Sequence, residues 1–82
     1  MIARSQLIYN YDPQNDILDV FTDRIRPVFA DEIHYGIYEY VDQSTEEFAG
    51  VSIMNYKSWN PNELNKFLAT KKIPIKVNFV CN

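Results

Sequence analysis

The sequence has little of what most catalytic and metal sites are built from. It contains one cysteine, Cys81, and one histidine, His34, among 82 residues. A single thiol cannot form an internal disulfide or a cysteine cage for zinc, and a Ser-His-Asp triad would depend on His34 alone. We therefore expect no catalytic, cofactor-binding or metal-binding residues. With so few thiols, a cytoplasmic location in a reducing environment is the prediction.

Long apolar runs are missing as well. No run approaches the roughly 18 residues that a membrane span requires, so no membrane association is expected. The opening stretch MIARSQLIYN lacks the apolar segment and small-residue cleavage site of a signal peptide. Hydrophobic residues nevertheless make up 46% of the chain, which excludes a disordered polypeptide. The length predicts a single domain over residues 1–82.

Positive charge is scarce in the first part of the chain. Residues 1–50 contain three arginines and ten acids, for a net charge of −7, whereas residues 51–82 contain five lysines and one glutamate, for a net charge of +4. An acidic region repels nucleic-acid phosphate, so nucleic-acid binding is not expected. Both regions are also consistent with solvated faces of one soluble domain.

The first two-thirds of the chain has the alternating apolar pattern of β-strands. The expected strands are Gln6–Tyr11, Ile17–Thr22, a long one at Val28–Asp42 and Val51–Tyr56, with Asp42–Gly50 as a turn. Gly36 is a candidate bulge or bend within the long strand. Ile75, Val77 and Phe79 alternate as a last strand or as a tail that pairs elsewhere.

One helix is predicted over residues 61–72. Asn60 is a good N-cap, Pro61 suits the first helical position, and Glu63 completes a capping box. Trp59 and Leu64 have the spacing of a hydrophobic staple. Leu64, Phe67 and Leu68 form one apolar stripe. The fold class is therefore α+β: a small antiparallel sheet of four to five hairpin-connected strands, with this helix packed on one face.

The acidic stretch YDPQNDILDVF, from Tyr11 to Phe21, has three interpretations. As a calcium loop starting at Asp12 it has Ile17 where an EF-hand needs glycine and Asp23 where it needs glutamate. As a catalytic pair, Asp16 and Asp19 would point to opposite faces of a strand. As a hairpin turn, Asp12 accepts backbone hydrogen bonds, Pro13 presets φ and Asn15 tolerates the left-handed conformation. We favour the turn.

The same stretch resembles the signature of a small bacterial domain family of unknown function: Tyr-Asp-Pro, two polar residues, then aspartate and an alternating apolar strand. The second half, YGIYEYVDQSTEEFAGVSIMNYKS, is similar to the family in order and spacing, with Gly50-Val51-Ser52-Ile53 as the counterpart of its Gly-Val-Gly-Ile-like segment. The similarity covers residues 7–58. It departs at Asp19, where the family has an aromatic or aliphatic residue, and in its longer acidic turn. The resemblance implies a compact β-rich domain without an assigned activity and, for some members, antitoxin-like roles.

Aromatic residues point to a partner. The chain has six tyrosines, five phenylalanines and one tryptophan, with rings on both sides of the Val28–Asp42 segment. A single helix covers only one side of a small sheet, and tyrosine is enriched at protein interfaces. We predict that the second face binds another protein. The alternative is that the tyrosines lie flat over a monomer's sheet with their hydroxyls in water.

The predicted function is a small non-enzymatic protein-binding module. Its partner is either a second copy, giving a homodimer, or a basic nucleic-acid-binding protein. In the second case the chain acts as an antitoxin-like or phage-type inhibitor whose acids compete with phosphate. The candidate partner-binding residues are Asp31, Glu32, Tyr38, Glu39, Tyr40, Asp42, Glu46 and Glu47. The alternatives are a small-ligand or metal-dependent protein that uses the Asp12–Asp23 hairpin, and nucleic-acid binding through Lys66, Lys71, Lys72 and Lys76 with Trp59.

Overall fold

The computed structural model describes residues 7–22, 27–75 and 77. Their elements are β1 (Leu7–Asp12), β2 (Ile17–Thr22), β3 (Val28–His34), β4 (Ile37–Asp42), β5 (Phe48–Met54), a 3₁₀ turn (Tyr56–Ser58) and α1 (Pro61–Thr70). The predicted α+β class, with an antiparallel sheet and one helix, is confirmed.

The five strands form one sheet in the order β1-β2-β5-β4-β3. All neighbouring strands are antiparallel. The β1–β2 hairpin and the β3–β4 hairpin therefore flank β5, which enters the centre of the sheet last. β5 is the central strand, and its residues 49–53 are all buried.

The long strand predicted at Val28–Asp42 is wrong, because the chain folds back at Tyr35–Gly36 and forms β3 and β4. Gly36 has φ +80, a left-handed conformation that glycine adopts without steric cost. Its carbonyl accepts a 2.8 Å hydrogen bond from the Met54 amide. Tyr35 therefore lies in the turn with 85% of its surface exposed and does not share a face with Ile37.

The β1–β2 loop is the hairpin turn predicted from the sequence. The Asp12 carboxylate accepts hydrogen bonds from the amides of Gln14 and Asn15 at 3.0 and 3.3 Å, and from the Asn15 side chain at 2.8 Å. These bonds lower the pKa of Asp12, the Asn15 side-chain amide contributing most. The left-handed residue is Asp16, with φ 55, and not Asn15 as predicted. Its carboxylate joins the loop to the rest of the domain by accepting from the Tyr11 hydroxyl at 2.7 Å and the Lys57 amide at 3.1 Å.

The turn after β4 is shorter than the predicted Asp42–Gly50, because β5 already begins at Phe48. Asp42 is 7% exposed, and its carboxylate accepts from the Ser44 and Thr45 amides at 2.7 and 2.9 Å. Glu46 takes the left-handed conformation, φ 63. The acidic turn is thus closed by the same kind of aspartate cap as the first hairpin.

The helix begins as predicted and ends two residues earlier than predicted. The Asn60 side chain accepts from the amides of Asn62 and Glu63, with Pro61 at the first position. At the other end Lys72 has φ 59, its amide donates to Ala69 O at 3.0 Å, and the Ile73 amide donates to Leu68 O at 2.9 Å. This pair of bonds is a Schellman motif, which ends the helix at Thr70.

The core lies between the sheet and α1. Leu64 and Leu68 of the helix are fully buried with strand residues; the core cluster on this side comprises Leu18, Val20, Ile37, Val51, Ile53, Tyr56, Leu64, Leu68, Ile73, Ile75 and Val77. The described residues after α1 form no strand. The Asn65 side chain instead pairs with both backbone groups of Val77, at 2.7 and 2.8 Å, so this tail pairs with the helix. Phe79 lies outside the described residues.

Candidate protein-binding face

The antiparallel register gives the sheet two chemically different faces. Residues directly opposite each other on neighbouring strands share a face. On the side of α1, here called the covered face, Leu18, Ile53 and Ile37 form one such row and are 0% exposed. The opposite side, here called the outer face, carries an apolar row and, beside it, an acidic row.

The apolar row crosses all five strands and consists of Ile8, Phe21, Gly50, Tyr40 and Ala30. The Phe21 and Tyr40 rings are 5.2 Å apart and lie on either side of Gly50. A Cβ at Gly50 would collide with Phe21 Cδ1 and with the Val20 carbonyl oxygen, so only glycine permits this close approach. Ile8 and Phe21 remain 53% and 38% exposed. The result is an ordered aromatic surface that water still reaches.

The acidic row runs parallel to it and consists of Asn10, Asp19, Ser52, Tyr38 and Glu32. Ser52 Oγ donates to Asp19 Oδ1 at 2.5 Å. Since that bond uses the only serine hydroxyl proton, the Tyr40 hydroxyl donates to Ser52 Oγ, 3.0 Å away. The bonds tie the apolar row to the acidic row and fix the orientation of the Tyr40 ring.

At the β3 end of the acidic row, Glu32 lies opposite Tyr38 and affects its pKa. The negative charge of the Glu32 carboxylate raises the pKa of the Tyr38 hydroxyl, with smaller contributions from desolvation and from their hydrogen bond. With Asp19 near one end and Glu32 at the other, the row has carboxylates near both of its ends.

The charge of the described residues is divided between the layers. Among residues 7–22, 27–75 and 77, the strand positions of the outer face include Asp12, Asp19, Glu32 and Asp42 but no lysine or arginine. The lysines in these ranges are Lys57 in the 3₁₀ turn and Lys66, Lys71 and Lys72 in or just after α1. The acidic and basic parts of the sequence thus correspond to the sheet and the helix.

The structure separates the eight predicted partner-binding residues into three groups. Glu32, Tyr38 and Tyr40 lie together on the outer face. Asp31 and Glu39 are opposite each other on β3 and β4 but face the covered side. Asp42 is the last residue of β4 and caps the β4–β5 turn, which contains Glu46 and Glu47; Glu47 accepts a hydrogen bond from Thr45 Oγ1 at 3.1 Å.

Sequence reasoning missed Ile8, Phe21, Gly50 and Ser52 as members of this surface. The alternation of β2 already puts Phe21 opposite Leu18 and Val20, which is a signal for a second face. The position of Phe21 beside Gly50 and Tyr40 depends on β5 pairing with both β2 and β4, and strand order is not visible in the alternation pattern.

In the described part of the acidic hairpin, the carboxylates accept hydrogen bonds from within the domain. Asp12 and Asp16 cap backbone amides, and Asp19 accepts from Ser52; Asp23 lies outside the described residues. Within the described part of the chain, no group of three or more His, Cys, Asp or Glu side chains is placed to hold a metal ion. No helix in that part is long and apolar enough to cross a membrane.

Comparisons with known proteins give no relative for this chain. No family model, no curated protein and no solved structure matches it. The resemblance of the Tyr11–Phe21 stretch to a bacterial family of unknown function therefore stays a prediction, and the geometry of the outer face is the basis on which function is argued.

Proposed function

We propose that this protein is a non-enzymatic protein-binding module, and that its outer face binds a partner carrying apolar side chains flanked by lysine or arginine. The observation that carries the proposal is the ordered apolar row around Phe21 and Tyr40, lying beside an acidic row on a face whose described positions hold no basic residue. Aromatic anchors next to complementary charge are typical of binding surfaces.

The dimensions of the face suit a small interface. Five strands about 4.8 Å apart, each about six residues long, give a footprint of roughly 24 × 20 Å, or near 500 Å². A standard interface buries about 800 Å² per partner. Contact through this face alone therefore belongs to the small, transient class, in which steering by charge has a large effect on the association rate.

A basic partner fits the outer face better than the outer face of a second copy does. In a two-fold dimer each surface contacts its own equivalent, so Asp19 and Glu32 of one copy would approach the acids of the other. The predicted homodimer stays a prediction, and solution mass by light scattering tests it.

The specific form of the proposal is an antitoxin-like or phage-type inhibitor of a nucleic-acid enzyme. Such enzymes bind phosphate with clustered lysine and arginine. The acidic row offers carboxylates to the same groups, so binding of this protein and of nucleic acid would be mutually exclusive. This form is supported by the negative charge of the acidic row and by the apolar row beside it.

Two peptides test the proposal. An amphipathic peptide with leucine on one side and lysine on the other is compared with its leucine–glutamate counterpart, in an NMR titration of the ¹⁵N-labelled protein. The lysine peptide should shift the amides of Phe21, Tyr40 and Ser52, and the glutamate peptide should leave them unchanged. Raising the ionic strength from about 0.05 to about 0.3 M should weaken binding several-fold.

The matched variants are Phe21→Ala, on the apolar row, and Phe29→Ala, whose ring is 60% exposed on a β3 position of the other face. Phe21→Ala should weaken binding at least about fivefold, whereas Phe29→Ala should leave it unchanged. Equal effects of the two substitutions, or shifts confined to α1, would contradict the proposed face.

A further inference from the structure

A recess lies at the end of the sheet where three connections meet. The β1–β2 turn, the β3–β4 turn and the chain leaving β5 border an open recess of about 370 Å³. It is lined by Asp16, His34, Tyr35, Met54, Asn55, Ser58 and Trp59, and we call it the turn-end pocket. Its volume lies within the range of small-ligand pockets, about 300–1,000 Å³.

Side-chain packing holds the aromatic wall of the pocket in place. The His34 ring contacts Trp59 and Phe67 edge-to-face, with centroids 5.3 and 5.0 Å apart, and Trp59 lies 6.1 Å from Phe67. His34 Nδ1 is 3.1 Å from the Tyr35 carbonyl oxygen, which fixes the ring further. Tyr35, which is 85% exposed, adds a third aromatic ring at the rim of the pocket.

The other wall carries a negative charge that no described cation neutralises. The Asp16 carboxylate accepts from the Tyr11 hydroxyl and the Lys57 backbone amide, both of which are neutral donors. Among the residues the structure describes, no lysine or arginine side chain forms an ion pair with it. A carboxylate has about four acceptor positions, so capacity remains for a charged donor from outside.

We propose that the turn-end pocket binds a guanidinium group, presented by an arginine side chain of a protein partner. A guanidinium is planar, stacks on aromatic rings and pairs with carboxylates through its fixed set of donors. A phosphate or carboxylate ligand would be repelled by Asp16. An ammonium group carries the same charge but is more strongly hydrated and stacks less well.

This inference extends the proposed function. That the guanidinium belongs to a side chain of a protein partner rests on that proposed function. Met54, which lines the pocket, is also on the outer face, opposite Ile17, and is 40% exposed. An arginine flanking the apolar contact of a partner would therefore reach the pocket without leaving that surface.

The test uses blocked amino acids and no partner. N-acetyl-arginine methylamide is titrated into the ¹⁵N-labelled protein, with the citrulline and lysine analogues as an uncharged isostere and a non-planar cation. The arginine compound should shift the amides of Tyr35 and Asn55 and the Trp59 indole. The citrulline compound should cause no saturable shift, and the lysine compound should bind several-fold more weakly.

Three variants locate the site. Tyr35→Ala should weaken arginine binding about two- to fivefold, and Phe29→Ala, the matched loss of an exposed ring elsewhere, should not change it. Asp16→Asn keeps the shape and removes the charge; it should reduce binding to the level of the citrulline compound. Tyr35 has no part in the core, so its variant keeps the test decisive if Asp16→Asn fails to fold.

Equal binding of arginine and citrulline compounds, no binding of either, equal binding of the lysine compound, or an unchanged affinity in Tyr35→Ala would each overturn the proposal. A negative result for arginine binding at the turn-end pocket is distinguishable from a negative result for peptide binding at the outer face. The amphipathic lysine peptide reports on Phe21 and Tyr40, and it contains no guanidinium.

Discussion

The two faces of the sheet are made from the same strands but differ in what they bury. On the covered face, Leu18, Val20, Val51 and Ile53 are aliphatic and fully buried under α1. On the outer face, the alternate positions of β2 and β5 hold Asp19, Phe21 and Ser52, joined to Tyr40 by ring contact and hydrogen bonds. The covered face is organised by the exclusion of water. The outer face is organised by directional contacts that leave apolar surface exposed, which is a property expected of a binding surface.

The largest expected effect is the difference in stability loss between substitutions on the covered face and on the outer face. Leu18→Ala removes a fully buried side chain and should lower the free energy of unfolding by about 2–5 kcal/mol. Ile8→Ala, at a 53% exposed position, should cost at most about 1 kcal/mol. Urea unfolding followed by circular dichroism measures both. Similar costs would mean that the outer face is buried in solution, by a second copy or by another part of the chain.

An intermediate effect tests the contact at the centre of the outer face. Gly50→Ala should destabilise the protein by about 1–3 kcal/mol, because the new Cβ displaces the Phe21 ring and presses on the Val20 carbonyl. In the Phe21→Ala background the cost should be smaller, since only the backbone contact remains. A double-mutant cycle by urea unfolding gives this coupling. Equal costs in the two backgrounds would show that Phe21 does not lie over Gly50.

The smallest effect concerns Glu39, an acid on the covered face. Burial raises its pKa above the ordinary 4.5, and the charge of Asp31 adds to the increase. The folded state therefore binds this proton more tightly than the unfolded state, so stability falls as pH rises from 4.5 through the folded-state pKa. Glu39→Gln should remove this loss and leave the variant slightly more stable than the native protein at neutral pH.

The ¹³C chemical shift of the Glu39 carboxyl, followed as a function of pH, measures this pKa directly. A Glu39 pKa at or below its ordinary value would contradict the prediction.

Prediction from the sequence worked best where a few neighbouring residues determine the conformation. Asp12 and Pro13 identified the first turn, and Asn60 with Pro61 identified the start of α1, because capping and fixed φ act within three or four residues. The reversal at Tyr35–Gly36 was missed because an isolated glycine in an alternating pattern is compatible with a bulge or a turn. The left-handed residue was assigned to Asn15, whereas the contacts of the Asp16 carboxylate with Tyr11 and Lys57 favour Asp16.

The candidate site divides in the same way. Tyr38, Tyr40 and Glu32 were identified from alternation and composition. Asp31 and Glu39 were grouped with them by charge, although alternation along each strand places them on the opposite face. Phe21 and Gly50 are 29 positions apart in the chain, and only the pairing of β2 with β5 makes them neighbours.

By itself, the sequence determined the α+β class, the turns capped by local side chains, the position of the helix start and the separation of acidic from basic charge. Only the tertiary structure decided which strands are neighbours, and hence that an aromatic row lies beside an acidic one and that three connections border the pocket at Asp16 and Trp59. The physical reason is range. Capping, backbone preference and alternation act within a few residues, whereas strand order is set by the burial of one shared core between elements far apart in the chain.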